Sequence, residues 1–326
     1  MENNNQTSLK KDIYTRNILR KNLNTLLIAV VFVLTIVFFS ISSKDYLTVN
    51  NIITNIIAIS TIGTVCIGQT LLLISGTFDI SVGAVVGFSG VILAKLLKVF
   101  DVSGIPASLF VFFVVIFIGA LIGFINGIII TKVKINALIT TIAMLSIVFG
   151  ISLVITKSKY IGIDNIFFKK LGAFPIPMII LLVLYAAFYF ILKTTVFGRY
   201  VYAIGNNETV ARYAGINTDK IRILLFTITS ALSAIAGILL SSKLTSAQAI
   251  FGQNYPLVTV AACVIGGTLL SGGKGGVLGS LLGISFFIFL ENGLILINLP
   301  TYIQDLITGI ILIIALFISE IWSKRE

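Results

Sequence analysis

The amino-acid sequence predicts an all-α polytopic membrane protein of about ten transmembrane helices, and three observations carry that prediction. First, 57% of the 326 residues are hydrophobic and 11% are charged. The resulting mean hydropathy of +1.10 is more than a water-soluble domain of this size can bury or expose. Second, apolar stretches of about 16 to 25 residues recur from Leu26 to Ile321, each long enough as a helix to cross roughly 30 Å of hydrocarbon. Third, all five prolines (Pro106, Pro175, Pro177, Pro256 and Pro300) fall at or beside the ends of those stretches, where a missing amide donor costs little.

Taken in order, residues 1–25 form a basic, polar tail. The apolar run that follows, Leu26 to Ile41, ends in "SSKDYLTVN" without a small-residue cleavage site and reads as a retained first helix, not a signal peptide. Later spans are expected to begin at Ile52, Ile80, Pro106, Ile135, Pro175, Ile221, Leu257, Val277 and Tyr302. Residues 26–321 then form a single transmembrane domain with a polar connection at 193–220, and 322–326 form a terminal tail. Ten crossings put both termini on one side. With that side inside, 15 of the 23 basic residues lie on inner segments, although Lys157, Lys159, Lys169 and Lys170 crowd one outer loop. The positive-inside rule therefore favours cytoplasmic termini. The net charge of +11 is mostly a product of this topology. Basic residues scattered over short loops offer no platform for nucleic acid.

Two internal echoes suggest weakly related halves: "GQTLLLISGTFDISVGAVVGFSG" at 68–90 with "GGTLLSGGKGGVLGSLLGIS" at 266–285, and "NGIIITKVKINALITTI" at 126–142 with "NGLILINLPTYIQDLITGI" at 292–310. Their offsets differ, so they are no strict tandem repeat.

Chemistry-bearing residues are sparse. With no histidine in the chain, His-based zinc sites, Ser-His and Cys-His nucleophile pairs and histidine proton relays are excluded. Cys66 and Cys263 both sit in apolar runs and read as small buried hydrophobes rather than a disulfide or metal pair. "GGTLLSGGKGG" is no phosphate loop: the glycine required five places before Gly273 is Thr268, and Gly275 stands where a magnesium-binding Ser or Thr belongs. It reads as a tight turn whose small residues let helices approach. No catalytic residue, bound cofactor or metal site is expected. Asp79, Glu291 and Asp305 are the carboxylates nearest the apolar runs; Asp79 reads either as a helix cap at the inner surface or as a gate beside a pathway, the other two as solvated helix ends. Gln69, Asn126, Thr140, Thr141 and Gln248 are the uncharged polar residues that either line a passage or bond neighbouring helices.

The connection at 193–220 carries the most distinctive pattern. Asn206 or Asn207 can cap a short helix, Glu208 and Arg212 pair at i and i+4, and Gly215 can end it in a left-handed conformation. Such a helix is either a solvated connector or a docking element. At Gly198-Arg199, Ala203, Gly205, Asn207-Glu208, Ala211-Arg212 and Gly215-Ile216 the chain resembles the permease subunits of ribose-type ATP-binding-cassette importers. Two further stretches match that family: Gly76, Asp79, Ser81, Val82 and Gly83, and Gly266-Gly267-Thr268 with Ser271-Gly272-Gly273-Lys274-Gly275; Asn126-Gly127, Asn292-Gly293 and Ser246-Ala247-Gln248 fit as well. The resemblance spans residues 50 to 320 and implies a coupling helix seated on a cytoplasmic ATPase, with Gly198, Arg199, Gly205, Asn207, Glu208, Ala211, Arg212 and Gly215 as coupling residues. Together with the polar residues read above, Gln69, Asp79, Ser81, Asn126, Thr140, Thr141 and Gln248 are the candidates for pathway or gate.

The resemblance also implies partners: cytoplasmic ATPase subunits that hold ATP and magnesium, a second permease subunit (identical or not), an external solute-binding protein and the surrounding lipid. Where relatives carry charges, this chain has Phe149-Gly150 and Tyr255-Pro256-Leu257-Val258, an apolar replacement that leaves the solute open among sugars and other small polar molecules. The reading is thus a transport subunit, not an enzyme. The competing one is an ion-coupled secondary transporter using Asp79 or Glu291.

Overall fold

The computed structural model describes residues 28–323; the tail expected at 1–25 and the last three residues lie outside them. A helix stands at every expected crossing. In chain order they are α1 (Ile28–Ser42), α2 (Val49–Ile74), α3 (Val82–Val99), α4 (Ile105–Ile128) with a π-helical extension (Ile129–Val133), α5 (Ala137–Thr156), α6 (Ile166–Leu171), α7 (Ile176–Thr194), α8 (Val196–Asn206), α9 (Glu208–Tyr213), α10 (Thr218–Leu244), α11 (Tyr255–Ile265), α12 (Val277–Leu296) and α13 (Thr301–Ser323). Two dipeptide strands, β1 (Ile161–Gly162) and β2 (Ser246–Ala247), pair antiparallel.

Among the described residues, seven helices are long and apolar enough to cross a membrane: α2, α3, α4 with its extension, α5, α7, α10 and α12. The expectation of ten full crossings meets one clear exception in α11. Its eleven residues reach only about 16 Å at 1.5 Å per residue, roughly half a bilayer core.

The reason lies in the segment before it. After β2 the chain runs without regular structure alongside α3, and a Cβ at Gly83 would lie 2.6 Å from the Gly252 carbonyl oxygen, one at Gly87 2.9 Å from that of Phe251. Only glycines on α3 let this backbone in so closely. Gly252 itself has φ +80°, a left-handed conformation that glycine adopts without strain. Irregular backbone at membrane depth is tolerated where protein surrounds it, which is the situation here. Pro256 then starts α11 at a first-turn position, where its fixed φ suits a helix.

Helix α2 is the hub of the bundle. From Ile67 through Ile74 its side chains are buried, packed with residues from α7, α10, α11 and α12 in one continuous core. Three amides lock its outer part to α12: Asn51 and Asn292 exchange side-chain hydrogen bonds of 2.8 and 2.9 Å, and Asn55 donates to Asn292 at 3.2 Å. Cys66 and Cys263 are free and buried on α2 and α11 with sulfurs 3.9 Å apart, which fits their reading as small core residues. Because Cys66 lies against Thr259 and Thr70 against Cys263, α2 and α11 run parallel. By contrast, α4 and α5 leave Phe110, Phe113, Phe117, Ile139 and Val154 exposed, the apolar face of a protein solvated by lipid.

The connections α2–α3, α4–α5, α7–α10 and α11–α12 gather at one end of the bundle, which is the inner end in the topology read from the basic residues. The β1–β2 pair and α6 sit at the other. Ser75-Gly76 and Ser271-Gly272-Gly273, equivalent points in the first echo, touch: Gly273 N–H donates to the Ile74 carbonyl at 2.8 Å, and a Cβ at Gly272 would meet the Gly76 backbone.

Candidate functional site

Two clusters at the inner end contain most of the residues singled out in the sequence. The first is built on α8 and α9. The polar connection holds two helices where one was expected, because Thr195 caps the first by accepting from Gly198 N–H at 3.2 Å. Gly198 is required there, since a Cβ would press on the backbone of Leu192. Gly205, near the end of α8, lies against the Ile74 carbonyl and the Gly273 amide, and Tyr202 donates to the Gly275 carbonyl at 2.9 Å. The glycine-rich stretch is therefore a turn fitted against α8 and α2, with φ of +88°, +89° and +76° at Gly267, Gly272 and Gly273.

Asn207, not Asn206, caps α9, its side chain accepting from Val210 N–H at 3.0 Å. Gly215 closes the helix at φ +83°, with Gly215 N–H bonded to the Arg212 carbonyl and Ile216 N–H to that of Ala211. This is a Schellman end. Ala211 is buried. Glu208 and Arg212 pair at 3.1 Å, and both reach further: Glu208 accepts from Arg222 at 2.8 Å, and Arg212 donates to Thr218 Oγ1 at 2.9 Å and lies 3.5 Å from Asp219. Asp219 in turn pairs with Lys132 of the π-helix at 2.9 Å. Five charged side chains thus bind α9 to the start of α10 and the foot of α4. Arg199, exposed on α8, donates to the Thr194 carbonyl.

Lys132, Asp219 and Arg222 did not stand out in the sequence. The only available signal was Asn217, a cap that places Asp219 in the first turn of α10, where a carboxylate suits the helix dipole. Val210 and Tyr213 were missed too; they face solvent from α9, with 60% and 87% of their surface exposed.

The second cluster joins four of the seven pathway candidates. Gln69 is fully buried on α2; its amide donates to the Asp79 carbonyl at 2.7 Å and accepts from Asp79 N–H at 3.2 Å. The Asp79 Oδ1 accepts from Ser81 N–H at 2.7 Å and from Ser81 Oγ at 2.6 Å, and Ser81 Oγ accepts from Asn126 Nδ2 at 3.0 Å. The chain of contacts runs from α2 through the α2–α3 connection to α4. Asp79 is not at the inner surface, as a simple cap would be; it is enclosed, and Asp79 Oδ2 and Asn126 Oδ1 have no protein partner. Burial pushes its carboxyl up to about 6, against the opposing pull of the bonds from Ser81.

The other three candidates lie elsewhere. Thr140 and Thr141 on α5 are buried and satisfy their hydroxyls on the Asn136 and Leu138 carbonyls of their own helix. Gln248 borders a cleft of about 1360 Å³ at the opposite end, among Lys98, Tyr160, Asn165 and Ile250. Glu291 is exposed near the outer end of α12, and Asp305 falls within α13. Phe149 packs among Phe88, Met144 and Val148, so the apolar replacement there serves the core.

A bundle of apolar helices with a short helix entered from irregular backbone, α8 and α9 at one end and an open cleft at the other fits a membrane permease. The comparisons agree. Residues 51–316 match the family described as branched-chain amino acid transport system / permease component. The ribose import permease protein RbsC of Haemophilus influenzae is 35% identical over 308 residues, covering 92% of this chain and 93% of that protein. RbsC of Escherichia coli is 30% identical over 315 residues (92% and 93%), and the L-arabinose transport system permease protein AraH of Escherichia coli is 35% identical over 283 residues (83% and 82%). No solved structure matches. The chain belongs to this permease family, the membrane subunits of ATP-binding-cassette importers. It is a transport subunit of a bacterial inner membrane, not an enzyme.

Proposed function

We propose that this permease forms the passage for a pentose or closely related sugar, with its termini and α9 on the cytoplasmic side. The single observation that carries the coupling part of this reading is α9 itself: a capped helix, clamped through Glu208 and Arg212, that presents Val210 and Tyr213 outward. Exposed apolar and aromatic side chains on a braced element are what a protein partner buries. The partner is a cytoplasmic ATPase that carries ATP and magnesium, and its closure reaches the membrane helices through the contacts of Glu208 and Arg212 with the start of α10. A second permease subunit and an external solute-binding protein complete the importer. The sugar class follows from the names of the relatives, ribose for one set and L-arabinose for another. The outer cleft beside Gln248 is where the binding protein releases it.

The test is uptake of labelled D-ribose and L-arabinose into proteoliposomes that contain the permease, its cognate ATPase and the solute-binding protein. ATP-dependent uptake of either sugar, insensitive to collapse of ion gradients, supports the reading. Uptake by the permease alone that stops when a sodium or proton gradient is abolished would replace it with a secondary carrier.

A further inference from the structure

Resting on the importer reading above, we propose that α9, α10 and α4 with its π-helical foot move as one transmission unit, and that Asn126 is the positioning residue through which this unit sets the Asp79–Ser81 turn. Three sets of contacts make the unit. Glu208–Arg222 and Arg212–Thr218 tie α9 to α10. Gly119, Gly123 and Gly127, spaced by four along α4, bring its backbone onto α10; a Cβ at Gly127 would lie 2.7 Å from the Ile223 Cα. Helices in backbone contact over two turns resist sliding past one another. Lys132 then closes the lower end on Asp219 at 2.9 Å.

On the same continuous helix, six residues before Lys132, Asn126 reaches the other way and donates to Ser81. The α2–α3 connection is also held from α2 by Gln69, and its Gly76 rests against the Ser271–Gly272 turn. No direct bond joins it to the α9 clamp among the hydrogen bonds of these residues. Instead Gly76 and Thr77 face Glu208, Arg212 and Arg222 across an open cleft of about 400 Å³. The cleft leaves room for the connection to shift, and the polar path to it runs through Asn126.

The experiment uses the complete permease–ATPase complex in lipid nanodiscs, with Cys66→Ala and Cys263→Ala removing the native thiols and Thr77→Cys reporting on the connection through its maleimide-labelling rate. In the parent, trapping with ATP and vanadate is expected to change that rate about fivefold. Asn126→Ala and Ser81→Ala should each reduce the change to less than about twofold while ATP hydrolysis continues, and together they should do no more than either alone. A nucleotide response at Thr77 that survives Asn126→Ala overturns the proposal and leaves α8, through Gly205 and Tyr202, as the route. The clamp is tested away from the core: Lys132→Asp should blunt the response and the added Asp219→Lys restore it, so a swap that fails to restore it in a complex of unchanged melting temperature also counts against the unit. A parent complex that neither assembles nor hydrolyses ATP refutes the importer reading itself. Assembly and hydrolysis without any response at Thr77 refute only the transmission route.

Discussion

Tyr213→Ala separates the fold of the inner face from its proposed use. Tyr213 is the last residue of α9 and keeps 87% of its surface open. Its removal should therefore change thermal stability by no more than about 0.5 kcal/mol, the range for exposed positions without special contacts. Docking is another matter. A tyrosine that becomes buried covers about 150–250 Å², and at roughly 25 cal/mol/Å² the full transfer amounts to about 4–6 kcal/mol. Alanine retains part of that area, and the phenol loses water when it is covered. About 2 kcal/mol, or near 30-fold in Kd, is the working expectation. The assay is titration of the cognate ATPase onto immobilised nanodisc permease by interferometry, with melting of the free permease as the control. An unchanged Kd for Tyr213→Ala beside an equally stable permease would refute the claim that α9 is the docking element. A lowered melting temperature would instead mean that Tyr213 supports the fold, against its exposure.

Other outcomes follow from the same geometry. Gly205→Val should prevent α8 from seating on Ile74 and Gly273, cost about 3 kcal/mol or more, and show as a lower yield of monodisperse protein in detergent. Asn292→Ala leaves the half-buried Asn51 and the buried Asn55 without their shared partner and should cost about 1–3 kcal/mol by thermal unfolding. For Asp79 the sign runs from its raised carboxyl: the folded form binds the proton more tightly, so the stability it contributes is full below pH 4 or so and is lost as pH rises through about 6. Asp79→Asn keeps the acceptor for Ser81 and should flatten melting temperature against pH between 4 and 7; a profile as steep as that of the parent would place the titration elsewhere.

The helix positions were legible because the hydrophobic signal is strong and the prolines mark the ends. What the pattern could not show was the break before α11. Residues 245–254 are no more polar than a helix end, and the chain is admitted to the bundle only because Gly83 and Gly87 on α3 leave space for it. That is a tertiary cause, absent from any local window. The cap at Asn207, the Glu208–Arg212 pair and the turn at Gly215 were local and came out as read. Arg222, Asp219 and Lys132 were not, because Arg222 meets Glu208 only when α9 folds back on α10, and Asp219 meets Lys132 only after α4 and α10 have packed. The same distinction holds for Gln69, Asp79, Ser81 and Asn126. Sequence singled each of them out, but their assembly into one chain of hydrogen bonds depends on three elements meeting.

The two kinds of contact at the inner end have different physical characters, and this bears on how a permease can be driven. The ion pairs around α9 are partly open to water, with Arg212 60% and Lys132 60% exposed in their side chains, so each contributes a fraction of a kcal/mol and re-forms easily. The glycine contacts of α4 on α10 and of α8 on α2 have no such give, because backbone meets backbone. An ATPase pulling on α9 would therefore displace whole helices before it deformed them, with the soft ion pairs adjusting at the margin. The Asp79–Ser81 turn is the exception: a short, buried non-helical link held by side-chain hydrogen bonds from Gln69 and Asn126, with its own Asp79 Oδ2 unmatched. Imperfectly satisfied polar groups in a low-dielectric interior narrow the free-energy gap between alternative arrangements. A gate needs that property, and among the described residues this turn combines it with a direct bond to α4.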